Sequence, residues 1–449
     1  MTRACSTELV TDETAFTALR ADWDGLYERC GAATPFQSHA WLHSWWLSYG
    51  RRGRLRLLVV REHGRLVAAA PLMLRPVPVP AFVPLGGAIS DYTDVLVDDE
   101  RADHAAAALA EGLSAAARTA LIDLREVRPG GAAELVYDRW GGPRLRMPDS
   151  VCLELPALPM DQLVSRLPSG KAQRVRAKLR KLSALGVQCR VVGPDEVDTA
   201  LRRLLELHRL QWQGRKVTQE HLQPRFREHL VRSVGSMVRS GNAAVTEFRI
   251  DDDVVAVDVT LLSRRLAGGY LYGAHPQLRE RRADVAVMLL EACARHTVDD
   301  GLSTLSLLRG NEPYKHHWRP DPVVNQRLLL ARRRTAPLMP AVVWGVAARR
   351  RNKEWLHRVQ EFTGGGGSQR SSAATAFLYR MRDHQSRRTQ SFPPSQYSTQ
   401  SPRSSGEQPA GGSAGAEEVG EGAGAVGEVD GVGVGGAVVS SVRPKRRDR

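Results

Sequence analysis

The chain has 449 residues, 42% of them hydrophobic and nine of them Trp, with a net charge of +15 and a pI near 10.1. That length exceeds one ordinary hydrophobic core and predicts two or three domains, while the charge favours anionic partners such as nucleic acid, anionic lipid headgroups or phosphorylated cofactors. Five cysteines, spread without any CxxC pair, argue against a zinc cluster and against an extracellular disulfide framework.

The N-terminal stretch MTRACSTELVTDETAF lacks the basic and apolar blocks of a secretory signal. The longest apolar runs, LVAAAPLML (66–74) and LMPAVVWGVAA (338–348), are too short to span a bilayer. A cytoplasmic protein is expected, soluble or peripheral at an anionic membrane. DETAFTALRADWDGLYERC has helical spacing, with Phe16, Leu19, Trp23 and Leu26 on one face. SHAWLHSWWLSYG reads as a second helix with Ser38 at its N-cap. LRLLVVREHGRLVAAAPLMLR is a hairpin turning at His63-Gly64. ISDYTDVLVD predicts a strand, RADHAAAALAEGLSAAAR a helix and TALIDLREV a strand, and the first unit closes near VCLELP (151–156).

The second unit opens with helices from Met160 to Leu185 and from Pro194 to about Trp212. A third, LQPRFREHLVRSVGSMVRSG, stops at Gly241. The strands AAVTEFRI, VVAVDVTLLS and LAGGYLYGAH follow, then a helix from about Ala283 to His296, a strand at Leu305–Leu308 and a last strand in VVNQRLLLARR. Residues 12–128 and 194–330 repeat one order of elements. The fold class is therefore mixed α/β (α+β), with two tandem units over 7–156 and 157–335, each a mostly antiparallel mixed sheet flanked by helices. A basic C-terminal helix is expected over 336–362. From Thr363 onward Gly, Ser, Gln and Arg dominate; such a segment cannot offset its ordering entropy, so 363–449 is read as a disordered tail.

Several residue types stand out for chemistry. The strand at Leu305–Leu308 ends in Asn311, Glu312, Tyr314, Lys315, His316, His317 and Trp318, an unusual density of proton-handling side chains. Asp258 sits mid-strand among valines; with Ala256 and Thr260 it marks a polar face that lines a cleft or meets solvent at an edge. Asp91, Tyr92 and Asp94 offer two carboxylates three residues apart, suited to an amine or polyol, or to capping turns. Lys171, Arg174, Arg176, Lys178, Arg180 and Lys181 form a basic helix without an acid, which fits a membrane surface, phosphates or a plain solvated face.

Together PFQSHAWLHSWW (35–46), LVAAAPLML (66–74), LGGAISDYTDVLV (85–97), GKAQRVRAKLRKLSALG (170–186), YLYGAHPQLRE (270–280) and LRGNEPYKHHW (308–318) resemble the GNAT superfamily of acyltransferases. Two such units in tandem look like the Fem-type arrangement. The nearest resemblance is to a bacterial group associated with cellulose production that shares the BioF2-like acetyltransferase domain. It covers about residues 10 to 330, and its most specific piece is the Tyr-Lys pair followed three residues later by Trp.

The resemblance implies acyl transfer from acetyl-CoA or another acyl-CoA to an amine or hydroxyl of a cell-envelope, polysaccharide or lipid-associated precursor, with no metal. It implies a Tyr272 or Tyr314 phenol that protonates the departing thiolate and a Lys315 ammonium that stabilises negative charge or holds an anionic acceptor. His316, His317 or Glu312 would be the base. Asp91, Tyr92, Asp94, Asp258, Arg174 and Arg180 would contact substrate. CoA phosphates would bind near Arg279, Arg281, Arg282 and Ala283, although Arg282 and Asp284 stand where the family's loop has small residues. A Fem-like alternative replaces CoA with aminoacyl-tRNA, and a further one is a non-catalytic protein that binds nucleic acid or a partner.

Overall fold

The structure, a computed structural model, describes residues 5–211, 219–348 and 351. Strand β1 (Cys5–Val10) leads into helices α1 (Glu13–Ala18) and α2 (Arg20–Arg29), which bury Phe16, Trp23 and Leu26 as their spacing requires. Ser38 caps α3 (His39–Tyr49), its hydroxyl accepting from the Trp41 amide. The hairpin is formed by β2 (Leu55–Glu62) and β3 (Arg65–Arg75). Its turn residues His63 and Gly64 take φ of 50° and 81°, the conformation whose twist matches the flanking strands. β4 (Ala81–Pro84), β5 (Leu96–Val97), α4 (Ala102–Ala116), β6 (Leu121–Val127), α5 (Ala132–Asp138) and the long β7 (Arg144–Pro156) complete this half.

In the second half α6 (Met160–Ser165) and α7 (Ser169–Ala184) are separate helices where the sequence suggested one. Pro168 has no amide to continue the first helix, and it restricts the residue before it. There follow β8 (Gln188–Val191), α8 (Val197–Gln211), α9 (Pro224–Arg239), β9 (Ala243–Ile250), β10 (Asp253–Leu262), β11 (Leu266–Ala274), α10 (Gln277–Glu280), α11 (Val285–Asp299), β12 (Thr304–Arg309) and β13 (Asp321–Leu330).

The thirteen strands among the described residues belong to one mixed sheet, in the order β1-β2-β3-β4-β6-β13-β7-β12-β11-β10-β9-β8, with β5 beside β3. The described residues up to Trp344 form one compact unit. The order of helices, antiparallel meander, helix and strand occurs once in each half. At their junction the halves exchange strands: β13 lies between β6 and β7 and pairs antiparallel with both, and β7 continues to β12. Helices cover both faces. Trp23, Trp41, Leu204, Phe226 and Val257 belong to the core on one side; Leu163, Leu182, Phe248, Val287 and Met288 belong to the other.

Two further expectations change, and a third lies mostly outside the described residues. In ISDYTDVLVD only Leu96 and Val97 are strand; residues 91–94 run irregularly because their polar groups bond to β6 and α5 rather than to a ladder. The short edge strands β1 and β8 were not anticipated, since most of their side chains are exposed and give no apolar alternation. A helix runs over 339–348, but most of the expected basic helix to residue 362, and all of the expected tail 363–449, lie outside the described residues. Among the described residues no helix is long and apolar enough to cross a membrane.

Candidate active site

β11 and β12 begin as a parallel pair, Leu266↔Thr304, Ala267↔Leu305 and Gly268↔Ser306, and then part. Leu308 enforces the separation: it adopts φ 57° and lays its side chain on Gly268, where a Cβ would come 2.7 Å from the leucine Cδ2. Next to it, β12 slips register against β7 between Ser306 and Arg309. On β11, Val259 faces Leu271 while Thr260 faces Gly269, so Tyr270 is an extra, bulged residue. The outcome is seen at Gly269, exposed within a strand whose neighbours Ala267, Gly268 and Tyr270 are buried. Among the described residues nothing lies within 4 Å of the position its Cβ would take. A sheet covered on both faces is open here, as a slot along β11.

The bulge sets Gly269 and Tyr272 on one face, with Asp258 and Thr260 opposite them on β10. The Tyr272 hydroxyl accepts from Gln211 Nε2 at 3.0 Å, and Gln211 Oε1 accepts from the Ala274 amide at 3.2 Å, tying the end of α8 to the end of β11. Tyr314 stands near Tyr272. Burial, then Glu312 and Tyr272, push its phenol pKa up, so it remains a hydroxyl donor at neutral pH. Asp258 is only 3% exposed, and β10 lies inside the sheet, which removes the edge-strand alternative. It accepts from the Thr260 hydroxyl at 3.0 Å, and among the described residues no cation pairs with it. Burial therefore raises its pKa to about 7, where a carboxyl can both take and return a proton.

Behind the slot, where the halves meet, a polar network fixes β12. Arg309 pairs with Asp91 at 3.2 Å and Glu126 at 3.3 Å. Asn325 Nδ2 donates to the Asp91 carbonyl and to Glu126 Oε2, each at 3.2 Å. Burial raises the Asp91 pKa to about 6, against the lowering pull of Arg309 and Lys315. Arg309, Glu126 and Asn325 were not singled out from the sequence. The one local signal was Arg309 itself, a charge placed directly after a buried apolar run.

The network revises several expected roles. Lys315 is 4% exposed, donates to the Arg309 carbonyl at 3.0 Å and pairs with Glu312 at 2.9 Å. Both charges are therefore spent on holding the loop to β12, and Lys315 is a positioning residue rather than a cation offered to an acceptor. His316 is exposed and bonds Asn311 Oδ1 at 2.5 Å, so its ring is engaged by its own loop. Tyr92 is fully buried, its hydroxyl shared between Glu154 Oε1 at 3.1 Å and Ser306 Oγ at 3.0 Å, so it cannot touch substrate. Asp94 accepts from the amides of Val95, Ala132 and Ala133 and serves as a cap for α5.

At the end of β11 the chain turns through α10 into α11. Arg282 has φ 54°, a conformation glycine takes at little cost, so the loop keeps its turn while carrying a guanidinium. Arg279 and Arg281 are exposed and Ala283 is half-buried. Asp284 caps α11, accepting from the Val287 amide at 3.0 Å and pairing with Lys178 of α7 at 2.6 Å. The chain's own carboxylate thus occupies the amide and the positive helix end that a pyrophosphate would use. The helix end therefore does not fit the phosphates of CoA. On α7, Arg174 lies one turn from Lys178 on the same flank, whereas Arg180 falls on the opposite one. Among the described residues no cluster of His, Cys, Asp or Glu is arranged to hold a metal.

Comparison with known proteins adds the following. No curated protein matches the sequence. The chain resembles the crystal structure of FemX, at 10% identity and a TM-score of 0.52 over 75% of this chain and 99% of that one. It resembles equally a conserved protein of unknown function from Bacteroides thetaiotaomicron, at 12% identity and a TM-score of 0.51 over 73% of this chain and 100% of the other. At such identities the likeness is one of fold. Residues 169–316, the stretch that contains β10, β11, β12 and the slot between the last two, match the family model described as an acetyltransferase (GNAT) domain.

Proposed function

We propose that the C-terminal half transfers an acyl group from a thioester to an amine or hydroxyl, with the N-terminal half forming the acceptor side. The observation that carries this reading is the slot: β11 and β12 part after three residue pairs and leave Gly269 open on the face that carries Tyr272 and Asp258. The acceptor nitrogen or oxygen attacks the thioester carbonyl carbon, a C–N or C–O bond forms and the C–S bond breaks. The acceptor's proton passes to the Asp258 carboxylate, and a phenol of Tyr314 or Tyr272 gives its proton to the departing thiolate; Asp258 then returns the proton to the phenol. The acceptor class is taken from the resemblance: a cell-envelope, polysaccharide or lipid-associated precursor, met in the cytoplasm or at a membrane surface.

S-acetylpantetheine, which has the arm and no pyrophosphate, tests the slot. A ligand that binds only the folded chain stabilises it, by about 2.7 kcal/mol at a hundredfold excess over Kd. A thermal midpoint indifferent to saturating acetylpantetheine would remove the reading. One observation favours a second one: Asp284 at the start of α11 suits a donor without a pyrophosphate there, and aminoacyl-tRNA is such a donor, in keeping with the net charge of +15. A midpoint raised by aminoacyl-tRNA and not by acetylpantetheine would select it.

A further inference from the structure

The donor can be narrowed, on the basis of the acyl-transfer reading above. Lys171, Arg174, Lys178 and Lys181 recur along α7 at spacings of three, four and three, which sets them on one flank. Lys178 reaches Asp284 at the start of α11, so this flank borders the exit of the slot. Lys171, Arg174 and Lys181 have no carboxylate partner among the described residues, and neither do Arg279, Arg281 and Arg282 on the loop that leaves β11. Six cations without an ion-pair partner among the described residues thus lie at this opening, where Asp284 is engaged by Lys178 and the exposed Glu280 offsets one of them. That is more positive charge than one cofactor phosphate needs, and it is spread over a helix face rather than gathered at a point.

We propose that the acyl donor is an acidic carrier protein, whose acyl-phosphopantetheine arm enters the slot while an acidic face of the carrier docks on the α7 flank. Such an arm ends in a single phosphodiester to a serine. It brings one negative charge to the mouth, where Arg281 and Arg282 are exposed, and needs nothing from the capped end of α11. The opening bares a single residue, Gly269, and a linear arm asks for less room there than the ribose and base at the end of a charged tRNA. On transfer the arm's C–S bond breaks, the acceptor gains the acyl group, and the carrier leaves with a free thiol.

The test compares, on the full chain at low salt, binding of an acetyl-loaded bacterial acyl carrier protein, acetyl-CoA, S-acetylpantetheine and uncharged tRNA. The acetylated carrier should bind at least about tenfold more tightly than acetyl-CoA, with an advantage that shrinks as salt rises. Reversing Lys171, Arg174 and Lys181 to Glu should weaken carrier binding about tenfold and leave acetylpantetheine unchanged. Asp284→Gly should raise the affinity for acetyl-CoA by freeing the helix end. Carrier binding indifferent to the charge reversal, acetyl-CoA binding more tightly than the carrier, tRNA displacing the carrier, or an Asp284→Gly chain no better at holding acetyl-CoA would each overturn the proposal while acyl transfer stands. If Gly269→Leu binds acetylpantetheine as well as the parent chain does, the acyl-transfer reading itself falls.

Discussion

Each half of the molecule contains a parallel strand pair that ends early: β4 with β6 over Ala81↔Leu121 and Phe82↔Ile122, and β11 with β12 over three pairs. What comes next differs. In the N-terminal half residues 92–94 move in. The Thr93 amide donates to the Glu126 carbonyl, its hydroxyl bonds the Arg125 carbonyl, Tyr92 lies 6.2 Å from the Phe36 ring between centroids, and Asp94 caps α5. In the C-terminal half no segment among the described residues does the same, and Gly269 stays open. Diverging strands are therefore not enough to make a site. The filled copy also serves the open one, because the Tyr92 hydroxyl reaches Ser306 at the point where β12 leaves β11. One repeat has become part of the wall for the other.

Emptying the filled gap should have the largest effect. Tyr92→Ala removes a fully buried ring and leaves Ser306 without that partner, at a cost of about 3–5 kcal/mol in denaturant unfolding. A loss below about 1 kcal/mol would show that the ring does not support this junction. Filling the empty gap is the converse. Gly269→Leu should cut affinity for S-acetylpantetheine about a hundredfold, roughly 2.7 kcal/mol, with little change in thermal midpoint, since the added side chain meets only open space. A large drop in midpoint would mean that the position is packed.

Within the open gap, Tyr314→Phe should slow thiol release from an acetyl thioester by roughly tenfold to a hundredfold while donor affinity holds. Lost affinity with an intact rate constant would make the phenol a binding group. The smallest effect per step is one of pH. Because the folded state raises the Asp258 pKa from 3.8 to about 7, the folded chain keeps a proton that the unfolded chain has lost throughout that window. Wild-type stability should therefore fall with rising pH there, by up to roughly 1.4 kcal/mol per unit, and Asp258→Asn should lack that component. Parallel stability curves for the two chains would place Asp258 in a solvated setting.

Local chemistry was legible in the sequence. Ser38 at its N-cap, His63-Gly64 in its turn and the alternation that turns Asp258 away from Val257 and Val259 each depend on neighbours within a few residues. The ion-pair network was not legible. Arg309 and Glu126 are 183 residues apart, and Asn325 lies 234 residues from the Asp91 carbonyl it bonds, so neither contact leaves a periodic trace. Lys315 was misjudged for the same reason: its burial follows from the Arg309 carbonyl and from how the loop folds back, not from its neighbours in sequence.

The position of β13 between β6 and β7 bears on how the protein is made. During synthesis residues 1–156 leave the ribosome with the strand edges of β6 and β7 unpaired, and their partner, Asp321–Leu330, is still far from being translated. Such edges invite pairing with the wrong chain. The nascent chain should thus need shielding by a chaperone until its last strand arrives, and an early stop codon before residue 321 should yield aggregates instead of a free-standing first half.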